Sequence, residues 1–239
     1  MNSYKRVLLK LSGEALKGDS SSILSSACVE EVISSIKGLV DKGVEVCIVV
    51  GAGNIWRGKL AETIHIEPAR ADYMGMLGTV INALALQQAL VHVGIDAVAF
   101  SALEMNDVVE FYSQEKALKA LEEGKVVIFG GGTGKPFFTT DTCAALRAIE
   151  TNCEAVLMAK NGVDGVYSKD PNKYEDAKFF KTLTYKELLD LNLGVMDTTA
   201  VSLLLDKDIV LRVFSMQDST AFAKIIAGED LGTTIKKGE

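Results

Sequence analysis

The sequence predicts an α/β fold, a three-layer α/β/α sandwich around a mostly parallel sheet. Three observations predict it. Apolar runs rich in β-branched residues alternate with helical stretches along the chain. Those runs are nearly continuous, not alternating, which marks strands covered on both faces. Glycine-rich turns follow three of them, at residues 12–13, 51–58 and 130–134.

The elements follow in order. Residues 6–11 read as a buried strand ending in Ser12-Gly13-Glu14. Across residues 29–41, Val29, Val32, Ile33, Ile36, Leu39 and Val40 fall at helical offsets and give one buried face. Lys42-Gly43 stops that helix. Residues 44–50 form a β-branched strand. A long helix is expected over 68–93 and a strand over 95–100. Then come a helix at 114–123, a strand at 125–129, a helix at 141–151 and a strand at 155–159. Asp164-Gly165 sits in an irregular, hairpin-like segment. Helices at 185–191 and 198–207 lead to a strand at 209–214 and a last helix at 219–227. The 68–93 helix is apolar on more than one face. It reads as a central core helix, or as a core helix that also offers a subunit interface. Gly, Asn and Gln interrupt it too often for a membrane span.

The chain of 239 residues suffices for one α/β domain or two closely fused lobes. The formal net charge of −7 argues against nucleic-acid and anionic-membrane partners, which need a basic face. It leaves phosphate ligands open, because a few local cations and backbone N–H groups hold phosphate inside an acidic protein. Cys28, Cys47, Cys143 and Cys153 form no C-x-x-C pair, and Cys47 reads as a small buried hydrophobe. His65 and His92 are too few for a multi-histidine metal site. The N-terminus enters a strand pattern with no signal-peptide pattern, so a reducing, cytoplasmic setting is expected.

Ligands of such sheets bind beyond the carboxyl ends of the strands, where the glycine turns lie. Two familiar nucleotide signatures fail. Gly134-Lys135 has Phe129 five residues before the glycine and Pro136 after the lysine, so it is no P-loop. A dinucleotide fingerprint would need glycine where Trp56 or Lys135 stands. Lys10 at the end of a buried strand is unusual, because an unpaired buried ammonium is costly. It either points into the cleft or snorkels to water. Arg57, after Gly51-Ala52-Gly53-Asn54, either chelates phosphate or is solvated. Residues 133–141, Thr133-Gly134-Lys135-Pro136-Phe137-Phe138-Thr139-Thr140-Asp141, form the most specific stretch. Its aromatics suit a base pocket, and its hydroxyls suit base edges or phosphate. Asp141 stands where a helix N-cap belongs. Tyr167 in Asp164-Gly165-Val166-Tyr167 suits an adenine, although Asp-Gly and Asp-Pro mark turns everywhere.

These motifs resemble the bacterial uridylate kinases of the amino-acid kinase superfamily. The matching segments are Lys10-Leu11-Ser12-Gly13-Glu14, residues 51–58, Asp72-Tyr73-Met74-Gly75-Met76, residues 133–141, Val163-Asp164-Gly165-Val166-Tyr167 and Val195-Met196-Asp197. They fall in that family's order over residues 4–236. The resemblance implies an amino-acid-kinase-like fold as a single domain over 1–239. An acceptor-binding part would span about 1–150 and an ATP-binding part about 151–239. It implies transfer of the ATP γ-phosphoryl group to UMP, with Mg²⁺ carried by ATP and no protein metal site. It also implies a homohexamer and inhibition by UTP. Lys10, Leu11, Ser12, Gly13, Gly53 and Arg57 would contact ATP, with Asn161, Tyr167 and Asp170 on its adenosine side. Ala52, Asp72, Thr133, Gly134, Lys135, Pro136, Phe137, Phe138, Thr139 and Thr140 would hold UMP. Asp72 would accept from the ribose hydroxyls, and Lys10 and Asp141 would flank the transferring group. Lys160 is an extra candidate cation.

The chain departs from the family pattern in three places. Ala52 replaces a glycine, Lys135 replaces a commoner asparagine, and Gly18-Asp19-Ser20-Ser21-Ser22-Ile23 lacks the later glycines linked to GTP activation. Two rival functions stay open at this level: a carboxylate or carbamate kinase of the same superfamily, and a nucleotide-binding protein without turnover.

Overall fold

The computed structural model describes residues 3–216 and 220–238. Its main sheet has nine strands among the described residues, in the order β4-β3-β5-β2-β1-β6-β10-β11-β9. The inner strands are β1 (Arg6–Leu11), β2 (Glu45–Val50), β3 (Ala97–Ser101), β5 (Val126–Gly130), β6 (Ala155–Lys160) and β10 (Val210–Ser215). They run parallel to their neighbours. β11 (Thr233–Lys236) turns against this direction, pairing antiparallel with β10, and β9 (Thr182–Thr184) runs parallel to β11, so it is reversed too. The edges are β4 (Glu110–Phe111) and β9. A separate hairpin pairs β7 (Val166–Tyr167) with β8 (Phe179–Phe180).

Strand alternation divides the core. Val7, Leu9 and Leu11 of β1 join a cluster on one face with α1 (Ser26–Val40), α3 (Pro68–His92) and α8 (Ala221–Ile226). Leu8 joins the other cluster, with α4 (Gln114–Glu122), α5 (Thr140–Glu150), α6 (Tyr185–Asp190) and α7 (Thr198–Leu204). The expected three layers are present. Cys47, read as a buried hydrophobe, is fully buried in the second cluster. The short helix α2 (Gly58–Thr63), the 3₁₀ turn Gly13–Leu16 and the strands β4, β7, β8, β9 and β11 carry too little periodicity to be read from sequence. The last helix was expected from residue 219; that residue lies outside the described set.

α3 is long and apolar enough, by length and composition, to cross a membrane. In the fold it packs on β3 and β5. Its buried Thr79 and Asn82 are hydrogen bonded to Met76 O and Gly51 O. Met74, Leu77 and Ile81 stay exposed on its outer side.

One expectation is corrected. Asp141 does not cap α5; Thr139 does. Thr139 is extended (ψ 171°), and its Oγ1 accepts from the N–H groups of Asp141 and Thr142. Asp141 is thereby inside the first turn, and its side chain is released from capping.

Candidate active site

The site begins with Lys10. It lies on the Leu8 face of β1, beside Val49 of β2 and Met158 of β6. Its Nζ stands 2.8 Å from Asp141 Oδ1, with both side chains about four-fifths buried at 18% and 19% exposure. The approach is off-line, so the pair is ionic, and Oδ1 has no hydrogen-bond donor among the described residues. Of the two readings of Lys10, the structure shows it mostly buried and paired, not reaching out to water. Lys160 sits at the end of the neighbouring strand and donates to Val195 O at 2.8 Å. Burial pushes its ammonium below the ordinary value; the Asp141 charge opposes this and the Lys10 charge adds to it.

The first two glycine turns lock together. A Cβ on Gly13 would lie 2.3 Å from Asn54 Oδ1 and 2.6 Å from Gly51 O, so no other residue fits there. Asn54 and Asn82 exchange amide hydrogen bonds of 3.0 and 2.8 Å, and Asn82 also donates to Gly51 O at 2.8 Å. This buried pair ties the second turn to α3. Arg57 forms an ion pair with Glu14 and donates to Gly53 O at 3.3 Å. It therefore clasps the two turns at their exposed edge. Ser12 Oγ accepts from Glu14 N at 3.2 Å, which leaves its O–H free to donate, and the Leu11 side chain belongs to the core, leaving only the Leu11 backbone for a ligand.

The acceptor candidates surround a cleft of about 300 Å³. Ala52, Gly53, Asp72, Phe138, Thr139 and Thr140 line it, with Trp56, Met76, Thr79 and Gly132. Residues 133–137 continue the loop outward. Thr133 Oγ1 closes a tight turn with the backbone of Lys135, and Gly134 presses on Ala102 with φ +76°. Pro136 leads to Phe137, which is 75% exposed, and Lys135 is exposed as well. Phe137 holds a left-handed φ of 70°, uncommon for a bulky side chain. Asp72 Oδ2 fixes this conformation by accepting from Phe137 N at 2.7 Å. Asp72 thus ties α3 to the 133–141 loop. The loop is also held from beneath. Thr79 Oγ1 accepts from Gly131 N at 2.8 Å, and the buried Arg147 donates to Gly132 O at 3.4 Å.

Ala52 takes a negative φ, being absent from the residues with positive values. Its methyl faces α3, where a Cβ added at Gly78 would lie only 2.9 Å from it. The chain accommodates the departure at residue 52 by this neighbouring glycine.

A second cleft of about 360 Å³ lies beyond β6 and β10, lined by Lys160, Tyr167, Asp170 and Val195 among others. A further one of about 290 Å³ shares Val163, Tyr167 and Pro171 with it. Tyr167 stacks edge-on against Phe179 at 5.3 Å and donates to Asp164 Oδ1 at 2.8 Å; that bond raises its phenol pKa. Asp170 closes its own turn, accepting from Asn172 N at 3.0 Å, which holds its carboxyl below the usual range, with Lys173 assisting. Asn161 is exposed in the loop between Lys160 and Gly162 and lines none of these clefts.

The sequence motifs assigned no role to Asp197. It accepts from Thr139 Oγ1, from Thr142 Oγ1 at 2.9 Å and from Ala200 N at 3.0 Å. It therefore joins the α5 N-terminus to that of α7. Burial raises its pKa, but these hydrogen bonds outweigh burial and hold the carboxyl below its ordinary value. Asn82, Thr79 and Arg147 were also missed. Polar residues inside apolar helices were their only sequence signal.

The amino acid kinase family model matches residues 5–215. A uridylate kinase of Limosilactobacillus reuteri is 49% identical over 233 residues, covering 98% of this chain and 97% of the relative. One of Pediococcus pentosaceus is 48% identical, covering 99% and 98%. The crystal structure of a UMP kinase from Bacillus anthracis superposes with a TM-score of 0.95 at 40% identity, covering 99% of this chain and 97% of that one. With this site and these relatives, the chain belongs to the amino acid kinase family, in its uridylate kinase branch.

Proposed function

We propose that this chain transfers the γ-phosphoryl group of ATP to UMP, giving UDP and ADP in pyrimidine nucleotide biosynthesis. The observation that carries this reading is the Lys10–Asp141 pair, 2.8 Å apart. Asp141 directly follows Thr140 of the acceptor cleft, and its charge acts on Lys160 of the other cleft. The pair therefore stands where two ligands would meet. The relatives' names supply the identity of the acceptor.

The acceptor phosphate is already anionic, so no general base is needed. Phosphoryl transfer asks for in-line positioning and neutralised charge. Lys10 supplies positive charge at the transferring group. The locked glycine turns present backbone N–H groups that are fixed before the ligand arrives. Asp141 orients Lys10. The acceptor part would be residues 1–150 and the donor part 151–239, with Tyr167 and Asp170 beside the adenosine. Magnesium would enter with the nucleotide. No group of three or more His, Cys, Asp or Glu that could hold a metal ion is found among the described residues. Asp141 would orient Lys10 or the metal, whose charge would offset that of the phosphates.

The reading extends to a cytoplasmic homohexamer inhibited by UTP. The exposed Met74, Leu77 and Ile81 stripe of α3 suits a subunit contact. Sedimentation as a monomer at micromolar concentration would exclude the hexamer.

The test measures ADP formation from ATP and Mg²⁺ with UMP, CMP, AMP and acetylglutamate in parallel, with Lys10→Ala as control. Turnover with UMP, lost in the variant, is expected. Turnover only with acetylglutamate, or tight binding of both nucleotides without turnover, would refute the proposal.

A further inference from the structure

We propose that Lys160 is a second phosphate-binding cation of the reaction, gripping the donor nucleotide across Asp141 from Lys10. The inference rests on the ATP-dependent reading above. Lys10 pairs in register with Met158 on β6, and Lys160 lies two residues beyond it on the same strand. Residues two apart share a face, so Lys10 and Lys160 project from the same side of the sheet. That side also carries α5 and Asp141. Lys160 lines the cleft that holds Tyr167 and Asp170.

Charge decides the argument. Two ammonium groups face one carboxylate here, leaving one net positive charge in a half-buried setting. A surplus cation held beside another cation is unfavourable unless an anion completes the set. In this structure Lys160 donates to a neutral acceptor, Val195 O, at 2.8 Å. A phosphate oxygen is the stronger partner, because charge-assisted hydrogen bonds are about twice as strong as neutral ones. The Val195 bond is therefore a resting position from which the flexible side chain can be drawn to the nucleotide. In the transfer, an acceptor phosphate oxygen bonds to the γ-phosphorus as the bond to the β-phosphate bridging oxygen breaks. The electron pair stays on the ADP oxygen. Lys160, on the donor side, offsets that charge, while Lys10 serves the group in transit.

The competing role is mechanical, a tie that fixes the 192–197 loop through Val195. Three full-length variants separate the two. Lys160→Gln keeps a donor for Val195 O but loses the charge. Lys160→Met loses both, and Lys160→Arg keeps the charge. Calorimetric titration with ATP, ADP and adenosine is combined with steady-state kinetics. We expect Gln and Met alike to weaken ATP and ADP binding about 10- to 100-fold, the loss for one hydrogen bond to a charged group. Adenosine binding and the KM for UMP should stay within about two-fold, and Arg should recover most of the loss. If Gln binds ATP and turns over like the wild type, Lys160 is only a tie and the proposal is overturned. Wild-type protein that binds no ATP would overturn the kinase reading, and this proposal with it.

Discussion

Gly78→Ala tests how the chain accommodates Ala52. The added Cβ would lie 2.9 Å from the Ala52 Cβ and 3.5 Å from the Ile55 Cβ and Cγ2. Carbon atoms prefer about 3.5–4.0 Å, so only the Ala52 contact is a clash. Overpacking of this kind costs about 1–3 kcal/mol. Against it stands the helix propensity gained by replacing a mid-helix glycine with alanine, about 0.8–1.0 kcal/mol. The net effect in the wild-type background is a loss of roughly 0–2 kcal/mol. In an Ala52→Gly background the clash is gone and only the gain remains, so the sign reverses to a stabilisation of about 1 kcal/mol. Unfolding four proteins (wild type, two singles and the double) in urea gives the coupling directly. For a chain of this size each kcal/mol is about 2–4 °C in Tm. Because Ala52 lines the acceptor cleft, the KM for UMP should rise in Gly78→Ala and recover in the double variant. An equal effect of Gly78→Ala in both backgrounds would refute the reasoning.

Three further predictions follow from the same geometry. Arg147 is 4% exposed, lies 3.7 Å above the Tyr112 ring and pairs with Glu150. Arg147→Met removes the cation from a carboxylate that stays 28% exposed and keeps the Tyr112 hydroxyl as donor, so it should cost about 1–3 kcal/mol in urea unfolding. Lys135→Asn removes an exposed cation from the acceptor loop; the KM for UMP should rise a few-fold at low salt, and the difference should shrink at high salt. An unchanged KM across salt concentrations would sink that idea. Asp197 has a folded pKa below its unfolded value near 4. Its stabilisation is complete above that unfolded value and is lost as pH falls through the folded one. Asp197→Asn should flatten the acid limb of a stability–pH curve and leave the neutral and alkaline limbs parallel to wild type.

Much of the fold was legible because long, continuous apolar runs admit one reading. The strands at 6–11, 44–50, 125–129, 155–159 and 209–214 appear within a residue or two of their expected bounds. The short strands β4, β7, β8, β9 and β11 were not legible, since two to four residues carry no period. Within the site, Lys10 was legible because a charge inside a buried strand is costly and needs a reason. Asp141 was legible as the partner of Lys10 but not in its place on the helix. A hydroxyl two positions earlier competes for the same cap, and only the backbone angle at Thr139 shows which one wins.

By itself, then, the sequence determined the parallel α/β class, the three glycine turns and the family, because periodicity and motif order are local and survive without coordinates. The tertiary structure alone decided partnerships between distant residues: Gly78 making room for Ala52, Asp72 holding Phe137, Asn82 holding Asn54, and Asp197 joining two helix N-termini. The physical reason is that a side chain's partner is set by where the sheet carries it, and pairs from 26 to 65 residues apart leave no mark in the spacing of either.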